Sequence, residues 1–257
     1  MLSNHLFLLL CLVCALALPV KAETVKVAVY LEPPFAEIKG DTFVGDNVEL
    51  AKLFADGIGA DVRFLQCPFA RCMSMVKSGQ ADMIFGIKRT AAREKDYAFL
   101  SQAYRIQHYP LHFYTLKSRQ LDINNYRDLQ DLTIGVLRGG LYYDQFDQDK
   151  SLNKIAVTSR TQLIDMLLKG RIDTFLEREE SVIPLISDLD QQANITPAKY
   201  NYDQLVEVHV ALSKRSFIYQ YKDLLSSNLN NYLANGDIEK IISHHVAGNH
   251  NATILAR

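Results

Sequence analysis

The strongest constraint on the fold is an alternation near the start of the chain. TVKVAVYL, residues 24–31, is rich in β-branched residues and reads as a buried strand. Asp46 or Asn47 then caps a helix running to about Gly57, with Val48, Ala51, Phe54 and Ala55 on one face. ADVRFLQ is the next strand. Phe69, Cys72, Met73 and Val76 form the apolar stripe of a second helix, Ser78-Gly79 ends it, and ADMIFG follows as a strand. A β-α-β-α-β run argues for a parallel sheet with helices on its faces.

A similar phrase recurs. MVKSGQADMIFG (75–86) and LLKGRIDTFLE (167–177) both read helix, glycine, polar spacer, aspartate, apolar strand, and LTIGVLRGG (132–140) reads as a strand entering a glycine-rich turn. A second α/β lobe is therefore expected from about residue 119. YRIQHYPLHFYTLK (104–117) and LVEVHVALSK (205–214) are both extended, and suit a pair of antiparallel strands crossing between lobes. The expected division is 23–118 with 206–257 in lobe one and 119–205 in lobe two, with hinge bending near 116–119 and 206–210. Ligands of open α/β sheets bind outside the carboxyl ends of the strands. That directs attention to 31–35, 67–71, 86–93, 138–142 and 176–179.

The first 22 residues have a different character. Leu6 to Val20 is apolar but, at about 15 residues, too short to cross a bilayer. Val20-Lys21-Ala22 offers a cleavage site, so 1–22 reads as a signal peptide and the mature chain as exported to the periplasm. With 28 basic and 29 acidic residues there is no electrostatic case for nucleic-acid binding. The 48% hydrophobic content supplies ample core. Outside the leader only Cys67 and Cys72 remain, and in an exported protein this pair suggests a disulfide. Five residues within one helix rise about 7.5 Å, beyond disulfide reach. Cys67 must then lie just outside the helix, with Pro68 as its first residue.

GIKRTAAREKD (86–96) packs Lys88, Arg89, Arg93 and Lys95 together. Three readings compete: a solvated face, a basic patch, or a grip on a small anion. The order of several stretches bears on this choice. Pro33-Pro34-Phe35, FVGDNVELAKLFA, Phe69 thirteen residues before Asp82, SGQADMIFG, Thr90-Ala91-Ala92-Arg93, DLTIGVLRGG, GRIDTFLE and NGDIEKIISHHV follow one another along the chain. In that order they resemble bacterial extracellular solute-binding proteins of family 3, the polar-amino-acid type that feeds ABC importers. The resemblance implies a periplasmic-binding-protein-like α/β fold, two lobes with a ligand cleft joined by two crossing strands. It implies that Arg93 holds a ligand carboxylate, for which a planar guanidinium fork is suited. Phe69 matches a ring that stacks on the ligand. Gly86 lies at the adjoining strand end, and Arg138, Gly139 and Gly140 match a turn donating backbone groups.

Three positions depart from the family pattern. Glu32 stands where an aromatic residue is usual, Lys88 where Ser or Thr is frequent, and Arg178 where an aspartate usually pairs with the ligand ammonium. Glu177 and Glu179 flank Arg178. Losing an acid and gaining a base reverses the local electrostatics, which favours a ligand with a second acidic group or an unusual amino acid. The alternative is that Lys88 and Arg178 point away and pair with acids on the rim. His108 and His112 make a weak metal candidate on a strand, His244-His245 suits a solvent-facing helix, and Ser101 lacks a catalytic context. Tyr142 and Tyr143 suit either the cleft or the sheet. The expected protein is a monomeric, non-enzymatic periplasmic binder without metal or cofactor. It closes on a small carboxylate-bearing solute and presents it to a membrane permease. Competing readings are a periplasmic dehydratase of the same fold, with Glu32, Glu177 or Glu179 as acid or base, and a sensing role.

Overall fold

The computed structural model describes residues 23–107 and 110–246, with side chains described up to residue 242. The leader expected at 1–22 and His108 lie outside the described residues, as do the side chains of His244 and His245. The chain first runs β1 (Thr24–Val29), β2 (Glu37–Lys39), β3 (Thr42–Val44), α1 (Asp46–Asp56), β4 (Asp61–Gln66) and α2 (Phe69–Ser78). β5 (Met83–Lys88), α3 (Ala91–Asp96), β6 (Tyr97–Phe99) and β7 (Arg105–Gln107) follow. The next run is β8 (Leu111–Leu116), β9 (Thr133–Leu137), α4 (Asp144–Gln148), β10 (Asn153–Val157), α5 (Arg160–Leu168), β11 (Thr174–Arg178), α6 (Glu179–Asp188) and β12 (Ile195–Tyr202). β13 (Val206–Ser213), α7 (Lys222–Ala234) and α8 (Asp237–Val246) complete the described chain.

Side chains alternate across a strand, so each sheet needs a cover on both faces. In the first sheet Val25, Val27 and Val29 pack with Phe54 of α1, Leu225 and Leu229 of α7 and Ile238 of α8. Ala28 and Tyr30 face the other way, against Cys72, Met73 and Val76 of α2. The strand order is β4-β1-β5-β13-β6, with β7 also on β13. β1 is parallel to β4 and β5, whereas β13 is antiparallel to its three partners. The second sheet, β10-β9-β11-β8-β12, has the same logic: three parallel strands, with β8 antiparallel to β11 and β12. Phe113 and Leu176 face one core, and Tyr114 and Phe175 the other. The parallel units expected from the sequence are present, but each sheet is mixed.

The division between the sheets falls earlier than expected. Residues 111–116 belong to the second sheet, because Leu111, Phe113 and Tyr114 are buried by its two faces. The chain therefore leaves the first sheet after Gln107, not near 118, and returns between Tyr202 and Val206. The two passages are neighbours: β7 pairs with β13, and β8 with β12. Two local expectations also shift. Gly45, not Asp46 or Asn47, caps α1, and Pro68 caps α2 rather than opening it. Cys67 is thus outside the helix, and the Cys67–Cys72 disulfide closes with Cα atoms 5.3 Å apart.

Candidate functional site

The carboxyl ends of the parallel strands converge on one cleft. β1 delivers Tyr30 and Glu32, β5 delivers Gly86 and Lys88, β9 delivers Leu137 and the turn behind it, and β11 delivers Glu177 and Arg178. Gln107, Leu111, Val206 and Val208, at or beside the two passages between sheets, also line it. The cleft is partly open to solvent and holds about 100 Å³. Its charged lining is Lys88, Arg93, Arg105, Arg160 and Arg178 against Glu32 and Glu177.

Glu32 is set in a tight turn, its carbonyl accepting from the N–H groups of Phe35 and Ala36 at 2.8 and 3.0 Å. Its side chain is held by two partners. Oε1 accepts from Arg160 Nη2 at 2.7 Å and from Ser181 Oγ at 2.8 Å, both in the segment that forms the second sheet and its helices. Arg160 Nε lies 3.2 Å from Glu177 Oε2, an ion pair too poorly aligned to be a good hydrogen bond. Burial alone would lower the Arg160 pKa. The adjacent Glu177 and Glu32 carboxylates outweigh burial and raise it. Burial in turn pushes Glu177 above the ordinary carboxyl range, and Arg160 only partly offsets this.

Arg93 spans the cleft. Thr90 caps α3, its Oγ1 accepting from the Arg93 N–H at 3.2 Å. The guanidinium donates from Nη1 to Lys88 O at 2.9 Å and from Nη2 to Gly139 O at 3.2 Å, so it reaches from the β5 end to the turn after β9. It stands 5.8 Å from the Phe69 ring centre. Burial lowers its pKa from the ordinary arginine value. Phe69 is a buried ring edge-on to Tyr30 at 4.9 Å and also a wall of the cavity. Gly86 has φ +83°, and a Cβ there would run into the Tyr30 hydroxyl, which donates to Gly86 O at 3.1 Å.

Of the ten ligand-binding residues expected from sequence, eight line the cavity: Glu32, Phe69, Gly86, Lys88, Arg93, Gly140, Glu177 and Arg178. Gly139 meets it through its bond to Arg93. Arg138 is a correction. Its N–H is taken by Val157 O and its exposed guanidinium turns to Ala156 O, away from the cleft. Gly140 N–H is likewise used by Leu137 O, so the turn has fewer free donors than expected. Arg89 pairs with Glu94 on the exposed rim. The two tyrosines divide the alternatives: Tyr142 lines the cleft, its hydroxyl accepting from Leu137 N–H at 2.8 Å, while Tyr143 stacks on Tyr202 at 3.9 Å.

Sequence reasoning missed Arg160, Tyr30, Arg105 and the acids behind them. Arg105 pairs with Asp46 at 3.2 Å, both buried, and lies 3.9 Å from the Phe35 ring centre. Asn47 Oδ1 accepts from Tyr104 OH at 2.7 Å. The two residues read as helix caps thus turn inward. Arg160 carried a usable signal: a cation in a helix's first turn opposes the macrodipole and needs a reason to be there. Glu180 was also missed. Both its carboxylate oxygens are buried without a hydrogen-bond partner among the described residues, and burial pushes its pKa up to about 8.

Known proteins resemble this chain at low identity. The chain is 25% identical over 143 residues to the arginine-binding extracellular protein ArtP of Bacillus subtilis, a match spanning 55% of this chain and about half (54%) of that protein. The amino acid ABC transporter substrate-binding protein AbpA of Streptococcus pneumoniae, solved with L-arginine, superposes with TM-score 0.72 at 19% identity, over 89% of this chain and 97% of that one. A histidine kinase sensor domain similar to periplasmic binding proteins superposes with TM-score 0.76 at 17% identity, over 92% and 99%. At these identities the superpositions establish the shared fold. The sequence profile of bacterial extracellular solute-binding proteins, family 3, matches residues 25–247. With two mixed sheets, a charged cleft at their strand ends and a profile match over nearly the whole described chain, this protein belongs to the bacterial extracellular solute-binding proteins, family 3.

Proposed function

We propose that the chain captures a small carboxylate-bearing solute in the periplasm by closing two lobes on it, and delivers it to an ABC-type permease. The observation that carries this reading is Arg93, whose guanidinium lines the cleft and bonds across it to Gly139. A guanidinium is suited to grip a carboxylate through two parallel hydrogen bonds. The cross-cleft bonds of Glu32 to Arg160 and Ser181 support a closed arrangement, with bending in the two passages between the sheets. Relatives that bind arginine support an amino acid or related acid as the solute. The likeness to a histidine kinase sensor domain supports a second reading, in which the same closure reports to a membrane receptor. An enzymatic reading has less support. Glu32 and Glu177, two of its three acid-base candidates, are both engaged by Arg160, and the third, Glu179, is exposed and outside the cavity lining.

The test starts from mass spectrometry of small molecules that co-purify with the periplasmic protein, followed by calorimetry of the solute found. Arg93→Ala is expected to weaken its binding by about ten-fold or more, the worth of a charge-assisted hydrogen bond. Unchanged affinity in that variant would remove the central claim.

A further inference from the structure

We propose that the cleft selects a short dicarboxylate that carries no ammonium group. This rests on the solute-binding reading and names its substrate class. The argument is a balance of charges that are already committed. Five cationic side chains and two acidic ones line the cavity. Both acids, Glu32 and Glu177, are within ion-pair distance of the same guanidinium, that of Arg160. A ligand ammonium would have to compete with Arg160 for one of these acids, in a lining where cations already outnumber acids five to two. Asp46, behind Arg105, is buried in its own ion pair.

The cations are placed differently. Among the described residues the guanidinium of Arg93 bonds to the carbonyls of Lys88 and Gly139, and a carbonyl shares a hydrogen bond without cancelling a charge. Lys88 lines the cavity with no acid within ion-pair distance among the described residues. Asp147 feels its field, but that carboxylate accepts from Tyr142 N–H at 3.0 Å and does not line the cavity. One ligand carboxylate on Arg93 and a second toward Lys88 would neutralise both. The two cations stand close together, the Arg93 guanidinium donating to the Lys88 carbonyl at 2.9 Å, so a short chain can join the two carboxylates. Specificity of this kind is negative as well as positive, since an added ammonium meets a lining of five cations and two acids that Arg160 already engages.

The test uses two pairs of probes that differ only by an α-ammonium: succinate against aspartate, and glutarate against glutamate, with arginine as a fifth. Each is titrated calorimetrically into the mature protein. In at least one pair the dicarboxylate is expected to bind at least ten-fold tighter than its amino acid, with no binding of arginine. Lys88→Gln is expected to lower dicarboxylate affinity at least ten-fold without moving the melting temperature. Aspartate and glutamate binding as tightly as their partners, arginine binding, or no binding of either pair would each overturn the inference. Amino acid binding lost in Arg93→Ala would overturn it while leaving the solute-binding reading intact. Binding indifferent to Arg93→Ala would instead count against that reading.

Discussion

Arg160 occupies a position where helix electrostatics disfavour it, and two carboxylates make the position tenable. Only the cation in a first turn hints at it, because VTSRTQL otherwise reads as an ordinary serine-capped helix start, and Ser159 does accept from the Gln162 N–H. Glu32, Lys88, Glu177 and Arg178 were legible for the opposite reason. They sit at strand ends that an alternating pattern locates, and all but Glu177, which flanks Arg178, break a family pattern. Pairings across the cleft are not legible, because they depend on how two distant segments approach each other. Glu180 is a second case. Its carboxyl is buried beside Ser181, and its pKa rises to about 8 from an ordinary 4.5. The folded state then holds the proton more tightly than the unfolded chain, so this residue's contribution to stability falls as pH rises from about 4.5 toward 8. Glu180→Gln should therefore raise the melting temperature at pH 8 and leave it unchanged near pH 4. Equal gains at both pH values would show that packing, not ionisation, governs the site.

At the scale of elements, β5 and the turn after it do most to position the site. The strand must deliver Lys88 to the cleft while its backbone passes close to the Tyr30 hydroxyl, and only a residue without Cβ allows this at φ +83°. Gly86→Ala is expected to cost at least 1–2 kcal/mol from backbone conformation alone, read as a lowered urea midpoint. An unchanged midpoint would mean that Tyr30 yields freely. The helices and strands of the first half were legible because their apolar periods are strong. Strand direction was less so. A β-α-β run implies parallel pairing, but β8 and β13 enter their sheets antiparallel through long-range pairing that no local pattern encodes. The helix starts were shifted because Asp46 and Asn47 serve Arg105 and Tyr104 rather than capping α1.

For the molecule as a whole, Glu32 is a bolt between two bodies. Its carboxylate accepts from Arg160 and Ser181, so in the proposed closing motion this contact would help hold the two sheets together. Removing it with Glu32→Ala should increase the radius of gyration of the ligand-free protein in small-angle scattering. An unchanged radius would assign closure to other contacts, among them Arg93 to Gly139.

The connectivity of the two sheets also orders their assembly. All five strands of the second sheet come from residues 111–202, one uninterrupted segment. The first sheet has a strand missing from its middle until β13 inserts between β5 and β6, and β13 lies beyond the entire second segment in sequence. A chain that folds from its amino end can finish the second sheet while the first is still open. Closing the gap pairs segments more than a hundred residues apart, the kind of non-local step that slows folding. The segment that completes the first sheet also builds one of the two passages between sheets, so the first sheet and the passage are finished together.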